Sequence, residues 1–146
     1  MLSATNPERV IQALANPDAF YPDVQVEDFQ EMRRVPGHAP ATLAEQLGLA
    51  MRDCNALLAD WQVARLAEGL TALPADAKDY YLAAVYDRAY ARLLPILPVL
   101  AAGEPAREKL VQLAQRPGDW LRSSDANLAR VRGDMPHGLR ARAELI

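Results

Sequence analysis

The stretch from Pro40 to Glu68 sets the tightest limit on what this chain can fold into. Leu43, Leu47, Ala50, Cys54, Leu57, Trp61 and Ala64 recur in it at alternating spacings of four and three. That rhythm is the seam of one helix lying along another. In a second run, Leu82, Val85, Ala89, Leu93, Ile96 and Leu100 mark a facing seam. Gly69 closes the first run and Pro74 precedes the second; glycine after a helix and proline before one are its stop and start signals. The expected product is a long helical hairpin over 40–100, with a first arm about 40 Å long at ~1.5 Å per residue. Pro95 and Pro98 interrupt the second arm, and each removes a backbone donor and strains the turn before it. A break is expected near Leu94, then a short helical continuation to Ala102, closed by Gly103.

The flanks read as shorter helices. Asn6-Pro7-Glu8 has the order of a helix start, with Val10, Ile11 and Leu14 as one apolar face and Asn16-Pro17 as the stop. Phe20 to Val24 reads as extended. A second short helix is expected over 26–34, presenting Val26, Phe29 and Met32. Further helices are expected over 104–115, and from an Asp119 cap to Arg132 with Trp120, Leu121, Leu128 and Val131 inward; Gly133 stops the last. Gly138 to Ile146 partly alternates apolar and charged side chains, the rhythm of a strand, with no other clear strand for it to join. The fold class is thus all-α: a helical bundle on a long antiparallel hairpin, with one domain over 1–138 and an extended tail over 139–146.

At 146 residues the chain suits one domain able to fold without staples. Cys54 is its one cysteine, so no intrachain disulfide can form, and its seam position suits a small buried hydrophobe. The net charge of −3 lacks the basic footprint of a nucleic-acid binder. Residues 103–146 nevertheless carry +2 against −5 for the remainder, and 14 of the 16 cations are arginine. Arginine suits forked contacts with carboxylates and phosphates, although codon bias alone would give the same excess. No run approaches the ~18 apolar residues of a membrane span, and the first residues lack the pattern of a signal peptide. A cytoplasmic origin, without membrane contact, is the expectation.

Chemistry-bearing constellations are weak. His38 and His137 are far apart in loops and no second cysteine exists, so a metal site has almost no support. Asp18, Asp23, Glu27, Asp28 and Glu31 form an acidic run that reads as the solvated face of a short helix rather than as paired carboxylates for acid–base work. Ser123 and Ser124 have no base nearby, and no glycine loop cradles phosphate. No catalytic residue, cofactor or metal is expected. Tyr80, Tyr81, Tyr86 and Tyr90 cluster on the second arm, where packing at the hairpin edge or against another subunit is favoured over a ligand cage. Arg122, Arg130 and Arg132 on the last helix, and Arg140 and Arg142 on the tail, could face a phosphate backbone, pair with acids of a neighbouring subunit, or simply be solvated.

Several of these segments, in their order, resemble a known family. Phe20-Tyr21-Pro22-Asp23-Val24, the stretch Ala50 to Leu57 ending in Asn-x-Leu, Leu73-Pro74-Ala75-Asp76, the tyrosine-rich run Tyr80 to Ala89, Trp120, Ala129 to Gly133 and the closing Arg142 to Ile146 carry the likeness. They are similar to the head completion/stabilization proteins (GPL family) of Peduovirus-type contractile-tailed phages, over about residues 20–146. The resemblance implies a non-enzymatic virion protein of the head–tail neck. It would dock on the portal protein after DNA packaging, form a ring of about twelve copies, and offer a surface to tail-completion proteins. It would touch packaged duplex DNA only weakly and without sequence preference. On that reading Leu139, Arg140, Arg142, Glu144, Leu145 and Ile146 dock on the portal or a neighbour, the four tyrosines make subunit contacts, and Arg122, Arg130 and Arg132 face the DNA channel. The rival class is a helical nucleic-acid-binding regulator or packaging subunit, with Arg116-Pro117-Gly118 as the turn before a reading helix; Asp119 and Asp125 flank that helix and argue against it.

Overall fold

The computed structural model describes residues 11–35, 40–96 and 116–133. They are mostly helical, as an all-α reading requires, with one small strand ladder. The elements are β1 (Ala13–Leu14), β2 (Val24–Gln25), α1 (Val26–Arg33), α2 (Pro40–Leu57), α3 (Ala59–Ala67), a single 3-10 turn (Ala75–Ala77), α4 (Lys78–Leu93) and α5 (Pro117–Val131).

The hub is α4. Tyr81, Ala84, Val85, Tyr86, Asp87, Ala89, Tyr90, Ala91 and Leu93 are all buried, and such residues fall on nearly every side of the helix. A helix buried all round needs neighbours on several sides. Here α2 and α5 both pack against it, and α1 touches it as well. From α2 come Leu43, Leu47, Ala50, Met51 and Cys54, so the four-three rhythm does mark the buried face of that helix. From α5 come Ser124, Asn127, Leu128 and Val131.

The first arm is not one rod. Its spiral opens at Leu58, where φ is −96° and ψ is 2°. A helical ψ lies near −42°, so the helix is interrupted there and a separate one starts at Ala59. As a result α2 spans only about 27 Å at ~1.5 Å per residue. Leu58 becomes fully buried while Leu57, on the expected seam, is 53 % exposed. No residue of α3 is buried. That helix ends in paired bonds from Gly69 N to Leu66 O (3.0 Å) and from Leu70 N to Arg65 O (3.1 Å). Gly69 takes φ +96°, the left-handed geometry such a cap needs.

The N-terminal region departs from the sequence reading. Residues 11–16 are not helical: Ala13 and Leu14 pair antiparallel with Gln25 and Val24, and Val26 N donates to Gln12 O at 2.9 Å. Ile11, assigned to an apolar helix face, is 79 % exposed. Residues 6–10 lie outside the described residues. Phe20 and Tyr21 sit in a turn closed by Tyr21 N donating to Asp18 O at 3.1 Å, so only the end of the Phe20–Val24 segment is extended. In α1, Val26 and Phe29 point inward as expected, but Gln30 is the third buried residue and Met32 is 61 % exposed.

At the far end of α4 the expected break occurs: the helix closes at Leu93, and Ile96 N donates back to Leu93 O at 2.7 Å. The expected helix over 104–115 and the tail over 139–146 lie outside the described residues. In α5 the first helical residue is Pro117, so Arg116-Pro117-Gly118 belongs to the start of the helix. Asp119 does not cap it but pairs with Arg122 within the first turn. Leu121 is exposed rather than inward. Gly133, at φ +83°, stops the helix as expected.

Candidate functional site

Two polar knots tie the helices together, and neither has the form of a catalytic centre. The first is built around Asp87 on α4, which is 2 % exposed. Its Oδ1 accepts from Arg33 Nε at 3.0 Å and Nη2 at 2.6 Å. Its Oδ2 accepts from Ser123 Oγ at 2.6 Å and Asn127 Nδ2 at 3.1 Å. One carboxylate thereby joins α1, α4 and α5. The Arg33 guanidinium also lies 5.9 Å from the Tyr86 ring centroid and 5.7 Å from that of Trp120, within range of a cation–π attraction. Beside this knot Ser124 Oγ donates to Ala84 O at 2.8 Å and accepts from Arg88 Nε at 3.1 Å, while Arg88 also pairs with Asp125.

The second knot fastens the N-terminal segment to the long helices. Tyr81 O–H donates to Asn55 Oδ1 at 2.6 Å and accepts from Asn16 Nδ2 at 2.8 Å; Asn55 Nδ2 donates to Asn16 Oδ1 at 2.9 Å. Asp18 Oδ2 accepts from Gln62 Nε2 at 2.8 Å, and Asp23 Oδ1 from Asn16 N at 2.9 Å. Asp18 and Asp23 are therefore loop fasteners, not members of a solvated helix face. Tyr21 stacks on Tyr81 with centroids 4.8 Å apart and planes 8° from parallel. Its own hydroxyl is buried with no partner among the described residues. Removing a satisfied buried hydroxyl leaves its partners unpaired, whereas removing an unsatisfied one costs little. Tyr81→Phe is thus expected to lower stability by about 1–3 kcal/mol, and Tyr21→Phe by about zero. Urea unfolding of the two variants checks this; equal losses would contradict it.

The tyrosines do not form an open face. Tyr81, Tyr86 and Tyr90 are buried in the chain's own core and only Tyr80 is exposed, so three of the four have no surface to offer a neighbour. Burial pushes the Tyr86 hydroxyl up to about 12 and raises that of Tyr90. Burial likewise drives the Cys54 thiol up to about 12, against the opposing pull of Arg88. A thiol so far from its thiolate is an inert core group. The sequence pattern placed these tyrosines at an edge because a tyrosine usually sits half-wet; Tyr21 and Asn55 cover Tyr81, Phe29 of α1 covers Tyr86 and Trp120 of α5 covers Tyr90, which removes that edge.

The three arginines of the last helix lie in different settings. Arg122 is exposed and paired with Asp119. Arg130 donates to Asn127 Oδ1 at 3.0 Å and lies 5.8 Å from the Tyr80 ring centroid. Arg132 borders two adjoining hollows between α3 and α5, of about 460 and 320 Å³. Trp61 borders both, and Leu57, Leu128, Leu70, Val131 and Tyr80 supply apolar walls. His38, His137 and Leu139 to Ile146 lie outside the described residues. Among the described residues no group of histidine, cysteine and carboxylate side chains is placed to hold a metal ion, and no helix is long and apolar enough to cross a membrane.

Asn16, Asn55 and Asp87 escaped sequence reasoning as structural residues. The available signal was the run Ser123, Ser124, Asn127, Leu128 and Val131, small polar and apolar groups sharing one helical face.

A family model described as phage head completion protein (GPL) matches residues 15–140. The chain belongs to the phage head completion protein (GPL) family. The match begins just before Asn16, so it takes in the whole N-terminal knot, and it ends before Arg142–Ile146. No curated protein and no solved structure matches the chain. As a head completion protein it has a structural part in assembling the phage head, as a virion component working with other head and tail proteins. The shared motifs lie largely on the inside of this fold. Tyr81 and Asn55 bond each other, Leu73 N donates to Phe20 O at 2.8 Å, and Trp120 packs edge-on against Tyr90. They hold the scaffold together.

Proposed function

We propose that this head completion protein is a head–tail connector adaptor of the Peduovirus type, docking on the portal ring after DNA packaging and closing the filled head for tail attachment. The observation that carries the reading is the family match over 15–140. A body in which α1, α4 and α5 are tied through Asp87 is suited to act as a rigid wedge, and copies making one kind of head-to-tail contact close into a ring, here of about twelve. Tyr80 and the exposed Val63 and Leu66 of α3 are the side chains available for a lateral contact. Leu139, Arg140, Arg142, Glu144, Leu145 and Ile146 are assigned to the portal or a neighbouring copy, and Arg122, Arg130 and Arg132 to weak contact with packaged duplex. Tail-completion proteins would meet the ring's other face, inside the host before release and in the virion neck afterwards. A DNA-reading role for α5 is disfavoured, because Ser124, Asn127, Leu128 and Val131 commit one face of that helix to the core and the carboxylates of Asp119 and Asp125 pair with Arg122 and Arg88.

Mass photometry of the purified portal with and without this chain tests the reading. The portal peak is expected to gain the mass of a full ring of copies, even if the chain alone is monomeric, because a weak lateral contact strengthens once neighbours are held in place. A portal peak that never moves would defeat it.

A further inference from the structure

The hollows between α3 and α5 form a trough with an apolar floor and a mixed charged rim, on which Arg65, Arg130 and Arg132 stand beside Asp60 and Asp76. Trp61, Leu57, Leu128, Val131 and Tyr80 supply the apolar surface. Asp60 borders one hollow and Asp76 the other; both are exposed, and neither pairs with a cation among the described residues. Gly133 borders the trough as well, at the left-handed turn that ends α5. The 13 residues that follow it in the sequence therefore start at the trough's edge.

We propose that residues 139–146 of the same chain dock back into this trough. Three properties of that segment fit it. Its reach suffices: 13 residues span up to about 45 Å at ~3.4 Å each. Its alternation fits the cross-section, since in an extended segment Leu139, Ala141, Ala143 and Leu145 share one side and can cover the Trp61 floor. Its cations find partners on the mixed rim, since Arg140 and Arg142 are long enough to bend from the outer side to Asp60 and Asp76, which hold no cation among the described residues. Tethering favours this occupant over a free one, because a short linker holds the segment at an effective concentration on the order of millimolar. The segment assigned above to portal docking is then parked on its own body until a partner competes for it. That last clause rests on the adaptor reading; the docking itself does not.

Acrylamide quenching of tryptophan fluorescence tests the docking on the isolated chain, so a failure to join a portal would leave the result untouched. Three proteins are compared: the full chain, the chain ended at Gly133, and the full chain with Leu139→Asp and Leu145→Asp. Quenching is expected to rise about twofold in the second and third, equally across a ~50-fold range of protein concentration, as an intramolecular contact requires. The difference must vanish when each protein also carries Trp61→Phe, which assigns it to the trough rather than to Trp120. If the shortened chain loses its helical circular dichroism, the two-point variant alone carries the comparison. Identical quenching in all three proteins overturns the proposal. So does a difference that appears only at high concentration, which would give the trough to a second copy.

Discussion

Asp87→Ala is expected to be the most damaging single substitution in the described residues, lowering stability by about 3–5 kcal/mol. The carboxylate is nearly inaccessible, and its two oxygens serve four donors on α1 and α5. Its loss strands the Arg33 guanidinium, whose side chain is only 15 % exposed, beside the rings of Tyr86 and Trp120. A buried charge without its partner is the costly outcome, more so than the absence of the pair. The double variant Asp87→Leu with Arg33→Met should therefore recover much of the loss, because it removes both charges and fills the space with apolar groups. At roughly 3–4 °C per kcal/mol for a chain of this size, the single variant should melt about 10–20 °C lower. Thermal unfolding followed by circular dichroism checks both; a single variant within about 1 kcal/mol of the parent would show that the knot does not hold the three helices.

Phe20→Ala should cost about 3–5 kcal/mol by loss of a buried ring. Phe20 meets Tyr21 edge-on with centroids 5.0 Å apart and Trp61 with centroids 6.2 Å apart. Its backbone is fixed at both ends: Asp18 Oδ1 accepts from Phe20 N at 2.9 Å, and Phe20 O accepts from Leu73 N. The ring is thus the point where the N-terminal segment, α3 and the connection to α4 meet. It borders a hollow of about 190 Å³ shared with Tyr21, Leu73 and Lys78, into which neighbours can relax, so the lower part of the range is favoured. An unmoved melting curve would remove Phe20 as the pin of this region.

Much of the helical framework was legible because it depends on local signals. The periodic Leu43, Leu47, Ala50 and Cys54 are buried in α2, and the proline at 95 coincides with the end of α4. Gly69 and Gly133 take the left-handed φ that their positions after helices required. The misreadings share one cause, which is that a neighbour outside the window overrode a local preference. Ile11 to Leu14 has a helical spacing of apolar groups, but the paired strand at Val24–Gln25 and the bonds from Asn16 hold it extended. Leu57 was assigned to the seam by its spacing, but α2 ends at that residue and its side chain is 53 % exposed, while the next residue, Leu58, takes the buried place.

The candidate interaction residues divide in the same way. Their chemical types and their order identified the family, since the family match over 15–140 takes in every motif of the resemblance except the closing Arg142–Ile146. Which of them face outward was not legible. Tyr86 and Tyr90, four residues apart, look like an aromatic patch on α4, yet Phe29 of α1 and Trp120 of α5 cover them, while Tyr81 lies under Tyr21 of the N-terminal segment. By itself, then, the sequence determined the helical class, the helix stops at Gly69, Pro95 and Gly133 and the membership in the head completion family, because periodicity, capping residues and motif order are local properties of the chain. Only the tertiary structure decided that the first arm is two helices, that Asp87 is the shared anchor of three, and that the surface left open lies between α3 and α5. Burial depends on which helices come to lie beside one another, and no spacing within a single helix carries that information.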